Sequence, residues 1–273
     1  MFFVFRKRSV LLIGLLLFST AYGTWIDRME RSIYGVKPGV YLESQSMQGC
    51  LRREVEDVVD ELVVKHRSMP VNARLDREQG TVIDEVYGWE VDSRATVKAV
   101  LKARENTRLK LVKKAVSPKH FAVEVRPINK PIGYYHTWFY GSWERFENIQ
   151  QALRSINNII IWPGETFSFN ATVGPRTPER GYRMAPVIGG DGIGFGGGVC
   201  QVTTTLYNAA LIGKLRIVER HPHSISVPYI ESGKDATVVY GAQDLKLYNP
   251  FDYPVIIKAG VYRGKISVTI LGK

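Results

Sequence analysis

The chain has 273 residues with 37 Lys plus Arg against 26 Asp plus Glu, a formal charge of +11. That length allows one large domain or two modest ones, and 45% hydrophobic with 23% charged residues excludes wholesale disorder. Two cysteines, Cys50 and Cys200, exclude a disulfide-dense scaffold and a Cys-only zinc site, whereas the basic excess leaves nucleic acid, anionic lipid and wall polymer open as neighbours.

The N-terminus narrows that choice. Arg6, Lys7 and Arg8 precede an uncharged run from Ser9 to Ile26, which as a helix would reach roughly 27 Å, enough for a bilayer core. Basic residues ahead of it place the N-terminus inside, Trp25 suits the outer interface, and Ala21-Tyr22-Gly23 also permits signal cleavage. Residues 1–30 are therefore expected to be a signal anchor or cleaved signal, with the body outside the cytoplasm at the cell membrane, or secreted. Nucleic acid is not an expected partner.

From about residue 35 to 127 the pattern predicts a small α+β module. Leu51, Val55, Val58, Val59, Leu62 and Val63 recur at helical spacing until Met69-Pro70. Thr81 to Val91 reads as short strands around Tyr87-Gly88, and Asp92 as the cap of a helix carrying Val97, Val100 and Leu101. Arg108–Val116 and Phe121–Val125 read as strands, and Pro127 to Pro131 as a linker. A β-rich domain is expected over 132–273. Tyr134, Tyr135, Trp138, Phe139, Tyr140 and Trp143 form an aromatic cluster, suited to edge packing or to stacking on sugars. Ser142 caps a helix with Ile149, Leu153 and Ile156 on one face, and 159–162 with 166–169 reads as a hairpin about Pro163-Gly164. Strand-like runs follow at 216–218, 224–229, 236–240, 246–248, 255–259 and 265–271.

Seven of the ten residues 189–198 are glycine, and Cys200 opens the helical pattern of Val202, Leu206, Ala209 and Ala210. A cysteine in a helix's first turn sees the positive end of the macrodipole and favours the thiolate. The N–H groups of Gly198, Val199 or Cys200 are candidate oxyanion donors. The base is sought in Glu219-Arg220-His221-Pro222-His223, with His223 favoured over His221 because it leads directly into an alternating run, and Asp235 or Asp244 as the orienting carboxylate. Arg176, Arg180 and Arg220 are candidates for binding substrate carboxylates. Three other readings use the same residues: a buried structural cysteine, a dinucleotide loop in Gly192–Gly197, and a zinc site of Cys200, His221 and His223. No cofactor or metal is expected.

Several segments together resemble the VanW family over about residues 134–271: Asn148-Ile149, Pro163 to Asn170, Val173 to Thr177, Glu179 to Tyr182, Gly196 to Ala210, Glu219 to Ser224, Gly233 to Val238 and Asp244 to Leu247. Pro70–Val125 is similar, at fewer positions, to the peptidoglycan-binding module that often precedes VanW domains. The resemblance implies an extracytoplasmic cell-wall protein of a family named for its link to glycopeptide-resistance clusters. Some members act as L,D-transpeptidases, crosslinking peptidoglycan stem peptides through a cysteine acyl-enzyme, and the matching cysteine is Cys200. Better-known L,D-transpeptidases place a histidine just before Gly-Cys; this chain has Gly197-Gly198-Val199-Cys200, so the base must come from His221 or His223. Stem peptides, with anionic membrane and wall polymers, are the implied partners. The implied alternatives are a non-catalytic wall-binding protein and a cysteine amidase or carboxypeptidase of stem peptides.

Overall fold

Two long C-terminal strands set the main sheet, and buried and half-buried positions alternate along the second of them, Lys265–Gly272. The computed structural model describes residues 24–188 and 192–273, and the chain divides into two units, one of residues up to 71 with 86–118, the other of 72–85 with 119–273. The α+β class is as the patterning indicates. Most of the apolar run at Ser9–Ile26 lies outside the described residues, among which no helix is long and apolar enough to cross a membrane.

In the first unit, helices Arg52–Lys65 and Ser93–Leu101 share a core of Val55, Val59, Val97 and Val100 with Leu42 and Met47. Asp92 caps the second helix by accepting from Ala95 N at 2.8 Å, and the first is fixed by Glu54, which accepts from Leu51 N at 2.8 Å and from Arg31 at 2.7 and 2.8 Å. Strands Gly88–Val91 and Lys113–Val116 pair antiparallel. Cys50 is a free, half-buried thiol beside this core.

In the second unit, from Lys130 onward, the elements in chain order are β1 (Lys130–Trp138), α1 (Trp143–Ile156), β2 (Ile159–Ile161), β3 (Thr166–Ser168), α2 (Phe169–Val173), β4 (Met184–Pro186), β5 (Ile193–Phe195), α3 (Val199–Ile212), β6 (Arg216–Glu219), β7 (Lys246–Tyr248), β8 (Val255–Tyr262) and β9 (Lys265–Gly272). The main sheet runs β1-β9-β8-β2, antiparallel throughout, and a smaller sheet runs β3-β7-β6. Ile266, Val268 and Ile270 of β9 point into a core shared with Ile149, Leu153 and Ile156 of α1 and Val202, Leu206 and Ala209 of α3. Ile256 of β8 faces the other way, into a cluster with Leu75, Val125, Ile128 and Trp162. Consecutive burial of Val255, Ile256 and Ile257 follows from this cover on both faces.

Several expectations change. The boundary does not fall at 127–131: residues 72–85 and 119–131 belong to the second unit, where Ile128 is buried and β1 begins at Lys130. Phe121–Val125 is not a strand; Ala122–Val125 is a short helix whose entry is fixed by Phe121 N donating to Glu124 at 2.8 Å. The 159–169 hairpin does not form, since β2 pairs with β8 and β3 with β7. Residues 224–229 and 236–240 are not strands either. Pro222 and Pro228 supply no N–H for a ladder, and the backbone of Ala236 bonds to a helix side chain instead.

Sheet and helix approach closely at Gly133 of β1. A Cβ there would lie 2.2 Å from the Ala209 carbonyl oxygen and 2.6 Å from Gly213 N. Gly133→Ala is therefore expected to push β1 from α3 at a cost of about 1–3 kcal/mol, whereas Gly260→Ala in β8, where a Cβ meets open space, changes little. Urea denaturation checks both: the Gly133 variant's midpoint falls with its slope unchanged.

Candidate active site

The start of α3 is made possible by Gly198, whose φ of 106° places it in the left-handed region at the N-cap. A Cβ at this position would also crowd Ile149 at 2.9 Å and Arg145 at 3.0 Å. Cys200 follows as the second residue of the helix, half-buried on the wall of a cavity of about 400 Å³. Its Sγ lies 3.3 Å from Thr237 Oγ1 and 3.7 Å from the Val238 carbonyl oxygen. Val199 N–H is not available as an oxyanion donor, because it donates to Gly196 O at 3.0 Å. Cys200 N–H makes no hydrogen bond among the described residues, and like other first-turn N–H groups it points out of the helix's N-terminal end.

His223 lines the same cavity, and the carboxylate of Asp235 holds it twice. Asp235 Oδ2 accepts from the His223 backbone N at 2.5 Å and from Nδ1 at 2.7 Å. An ionised carboxylate can only accept, so Nδ1 carries a proton and Nε2 is the free ring nitrogen. Nε2 is buried with no regular hydrogen bond to the protein, yet His223 is near enough to Cys200 for each to shift the other's protonation. Burial pushes the Cys200 thiol up, but His223 and the Thr237 hydroxyl outweigh it and the net direction is down. Burial likewise lowers the His223 imidazolium, and Cys200 and Asp235 outweigh it, raising it above the ordinary histidine value. Asp235 is itself held below the usual carboxylate range, its burial offset by the two His223 bonds. The direction of all three shifts favours a thiolate–imidazolium pair.

Of the residues singled out in the sequence, Cys200, His223, Asp235 and Arg176 therefore come together around one cavity or directly behind it. His221 does not join them: its Nε2 meets Glu219 Oε1 at 3.0 Å, and Glu219 is held down to about 2 by Lys246, His221 and the Asp244 N–H. Zinc ligation by Cys200, His221 and His223 is not assembled, and among the described residues no three His, Cys, Asp or Glu side chains cluster to hold a metal. Asp244 is a structural acceptor, bonding Ser168 Oγ at 2.5 Å and the N–H groups of Asn170 and Leu245 at 2.8 Å. Arg220 lies behind the histidine, its Nη2 3.1 Å from Asp235 Oδ1 and its Nε 2.7 Å from Asp235 O. Arg180 is tied to Val173 O at 3.0 Å and does not line the cavity.

Sequence reasoning missed Arg145, Gln201, Thr204, Tyr229 and Thr237. Arg145 carried a signal: it sits four residues before Ile149, on the buried face of α1, where a charge is out of place. Gln201 is buried and accepts from Arg145 Nη2 at 3.0 Å while donating to Trp138 O at 2.8 Å. Arg145, Gln201 and Tyr229 also line a second cavity of about 590 Å³, to which Trp138 and Tyr140 from the aromatic cluster contribute.

Thr204 sets the spacing of the whole group. Its Oγ1 accepts from Ala236 N at 3.0 Å and donates to Ala236 O at 3.1 Å, with Asp235 and Thr237 on either side. Thr204→Val keeps the shape but strands both Ala236 groups, with an expected loss of about 1–3 kcal/mol and slower alkylation of Cys200. Thr203→Val removes only a bond to Val199 O within the same helix and is expected to leave the Cys200 alkylation rate near wild type. Urea denaturation and iodoacetamide kinetics on both variants make the check.

The residues lining the Cys200 cavity and those behind it fall within residues 144–271, which match the family described as VanW like protein, while Trp138 and Tyr140 lie just before that stretch. Over 208 residues, 74% of this chain and 68% of the relative, the chain is 35% identical to a Bacillus subtilis (strain 168) protein described as uncharacterized protein YoaR. It is 32% identical over 112 residues to the vancomycin B-type resistance protein VanW of Enterococcus faecalis (strain ATCC 700802 / V583), a match covering 38% of this chain and 41% of that protein. No solved structure matches the chain. On the extent of these matches, the chain belongs to the VanW-like family.

Proposed function

We propose that this protein is a cell-wall acyltransferase that works outside the cytoplasm on peptidoglycan stem peptides through a thioacyl-enzyme on Cys200, with the chemistry of an L,D-transpeptidase. The observation that carries the reading is the arrangement of Cys200, His223 and Asp235, with the unoccupied Nε2 of His223 toward the sulfur side and the proton on Nδ1. Similarity to a protein named for vancomycin resistance supports a role at the wall.

In this reading the Cys200 thiolate attacks a stem-peptide carbonyl carbon. The C–S bond forms and the carbonyl electron pair moves to oxygen, which the Cys200 N–H meets at the helix terminus. The intermediate collapses by breaking the C–N bond, and His223 Nε2 gives its proton to the departing amine. An amine of a second stem then attacks the thioester while His223 takes its proton; the new C–N bond forms, C–S breaks, and the thiolate returns. Water in place of that amine gives a carboxypeptidase. The cavity walled by Trp138 and Tyr140, which shares Arg145 and Tyr229 with the first, favours transfer because it offers a second substrate its own place.

The shifts at Cys200 and His223 fix the sign of the pH dependence. Activity is expected to fall at low pH as the thiolate, stabilised to below the ordinary thiol range, takes up a proton. It falls again at high pH as the raised His223 loses the proton it must donate. Asp235→Asn removes support for the imidazolium, so the alkaline limb is expected to move to lower pH. At neutral pH iodoacetamide is expected to label Cys200 and spare Cys50, which burial pushes up. Mass spectrometry of muropeptides should show product loss of about a millionfold, to background, in Cys200→Ala. Undiminished turnover in that variant would sink the mechanism, and labelling of Cys200 only after unfolding would favour a non-catalytic wall-binding protein.

A further inference from the structure

Two guanidiniums line the Cys200 cavity, and neither meets a carboxylate among the described residues. Arg145, from α1, spends Nη2 on Gln201. Arg176, just after α2, gives Nη1 to Gly174 O at 2.9 Å and lies over the Phe169 ring at 5.6 Å, while its Nη2 is buried without a partner. Tyr229 Oη, on the same wall, is also buried without a regular hydrogen bond. The other arginines near the site are already matched: Arg220 to Asp235, Arg183 to Glu147. Drawing a cation partly out of water with no carboxylate in hydrogen-bond contact is costly, and here two half-buried guanidiniums share a cavity of about 400 Å³ with the thiol. Burial lowers the proton affinity of both; Tyr229 and Cys200 pull Arg145 back up, and Tyr182, Cys200 and Asp244, which makes no ion pair with it, pull Arg176 back up, so the sulfur lies within electrostatic reach of the pair.

We infer that Arg145 and Arg176 receive a carboxylate of the substrate, so that the protein acts on peptides carrying a carboxylate within one residue of the carbonyl presented to Cys200. This rests on the reading of Cys200 as the nucleophile. A guanidinium fork matches a carboxylate edge, and a cavity this small leaves no room for the anion and the reacting carbonyl to be far apart. The thiol beside the pair calls for an acyl compound, and the anion of a peptide is a carboxylate. Pro186, Val187 and Val239 complete the wall with apolar surface, suited to the intervening carbon atoms.

Two alkylating probes of nearly equal size test this on the folded full chain. Iodoacetate carries a carboxylate one carbon from the reacting centre; iodoacetamide does not. Each rate at Cys200, followed by mass of the modified peptide, is divided by the rate for free cysteine at the same pH. The iodoacetate-to-iodoacetamide ratio so corrected is expected to exceed one by about tenfold, the size of a charge-assisted hydrogen bond. It should fall toward one in Arg176→Met and Arg145→Met, with iodoacetamide much less affected. Arg176→Lys and Arg145→Lys, which keep the charge, should retain part of the preference, and they carry the test if a methionine variant does not fold. A wild-type ratio near one overturns the inference while His223-dependent iodoacetamide labelling leaves the nucleophile standing. Equal slowing of both probes in the arginine variants also overturns it, since the pair would then act on the thiol alone. Failure of both probes at neutral pH removes the nucleophile and this inference together.

Discussion

Two hydrogen bonds between the Thr204 hydroxyl and the backbone of Ala236 hold the candidate site together. Helix α3 is buried along most of its length, yet it carries Gln201, Thr203, Thr204, Thr205 and Asn208 on its buried surface. Each of these finds a partner, as buried polar groups must. Some bond within the helix, but Thr204 and Asn208 reach across to the chain at 234–236, Asn208 Nδ2 meeting Lys234 O at 2.7 Å. That segment has no strand ladder to keep it in place, so the helix takes over the backbone satisfaction that a sheet would otherwise provide. One end of the helix thus carries Cys200, and its middle fixes the chain that carries Asp235 and Thr237.

The electrostatic consequence is a site arranged to favour negative charge at one sulfur. The helix terminus, the raised imidazolium and two arginines all contribute positive potential around Cys200. Among the described residues the carboxylate in direct contact with this group is Asp235, which does not line the cavity and is matched by His223 and Arg220. Asp235 therefore supports the histidine without opposing the thiolate. The overall charge of +11 does not say where the positive charge lies, whereas this local excess lies at the cavity.

Much of this was legible in the residues. Apolar spacing located α1 and α3, strand-like runs located β8 and β9, and the glycine run before Cys200 marked the start of a helix. His223 and Asp235 were also legible, though the reason for favouring His223 was mistaken. It was expected to lead a rigid strand, whereas 224–229 is irregular and the histidine is fixed by two bonds to Asp235. The 159–169 hairpin failed for a non-local reason: β2 and β3 are joined by a Pro163-Gly164 turn but each finds a better partner far along the chain, in β8 and β7. A turn signal tells where the chain bends and not which strands pair. Arg145 and Thr204 escaped notice because a lone charge or hydroxyl in a helix ordinarily faces water, and only the tertiary fold turns them inward.

Placing His223 on an irregular segment has a cost and a compensation. Sites carried on helices or strands are held more closely than those on loops, because neighbouring rotamers and ladder bonds resist displacement. Here the geometry is recovered through side chains: Asp235 grips His223 at two points, Arg220 grips Asp235 through both its backbone and its carboxylate, and Thr204 grips the residue next to it. These bonds join residues 12 to 32 positions apart, so none is made within a single element. The ionisation of Cys200 is therefore a property of the assembled domain, and a change at Thr204 or Arg220, neither of which lines the cavity, reaches the thiol through the position of the histidine.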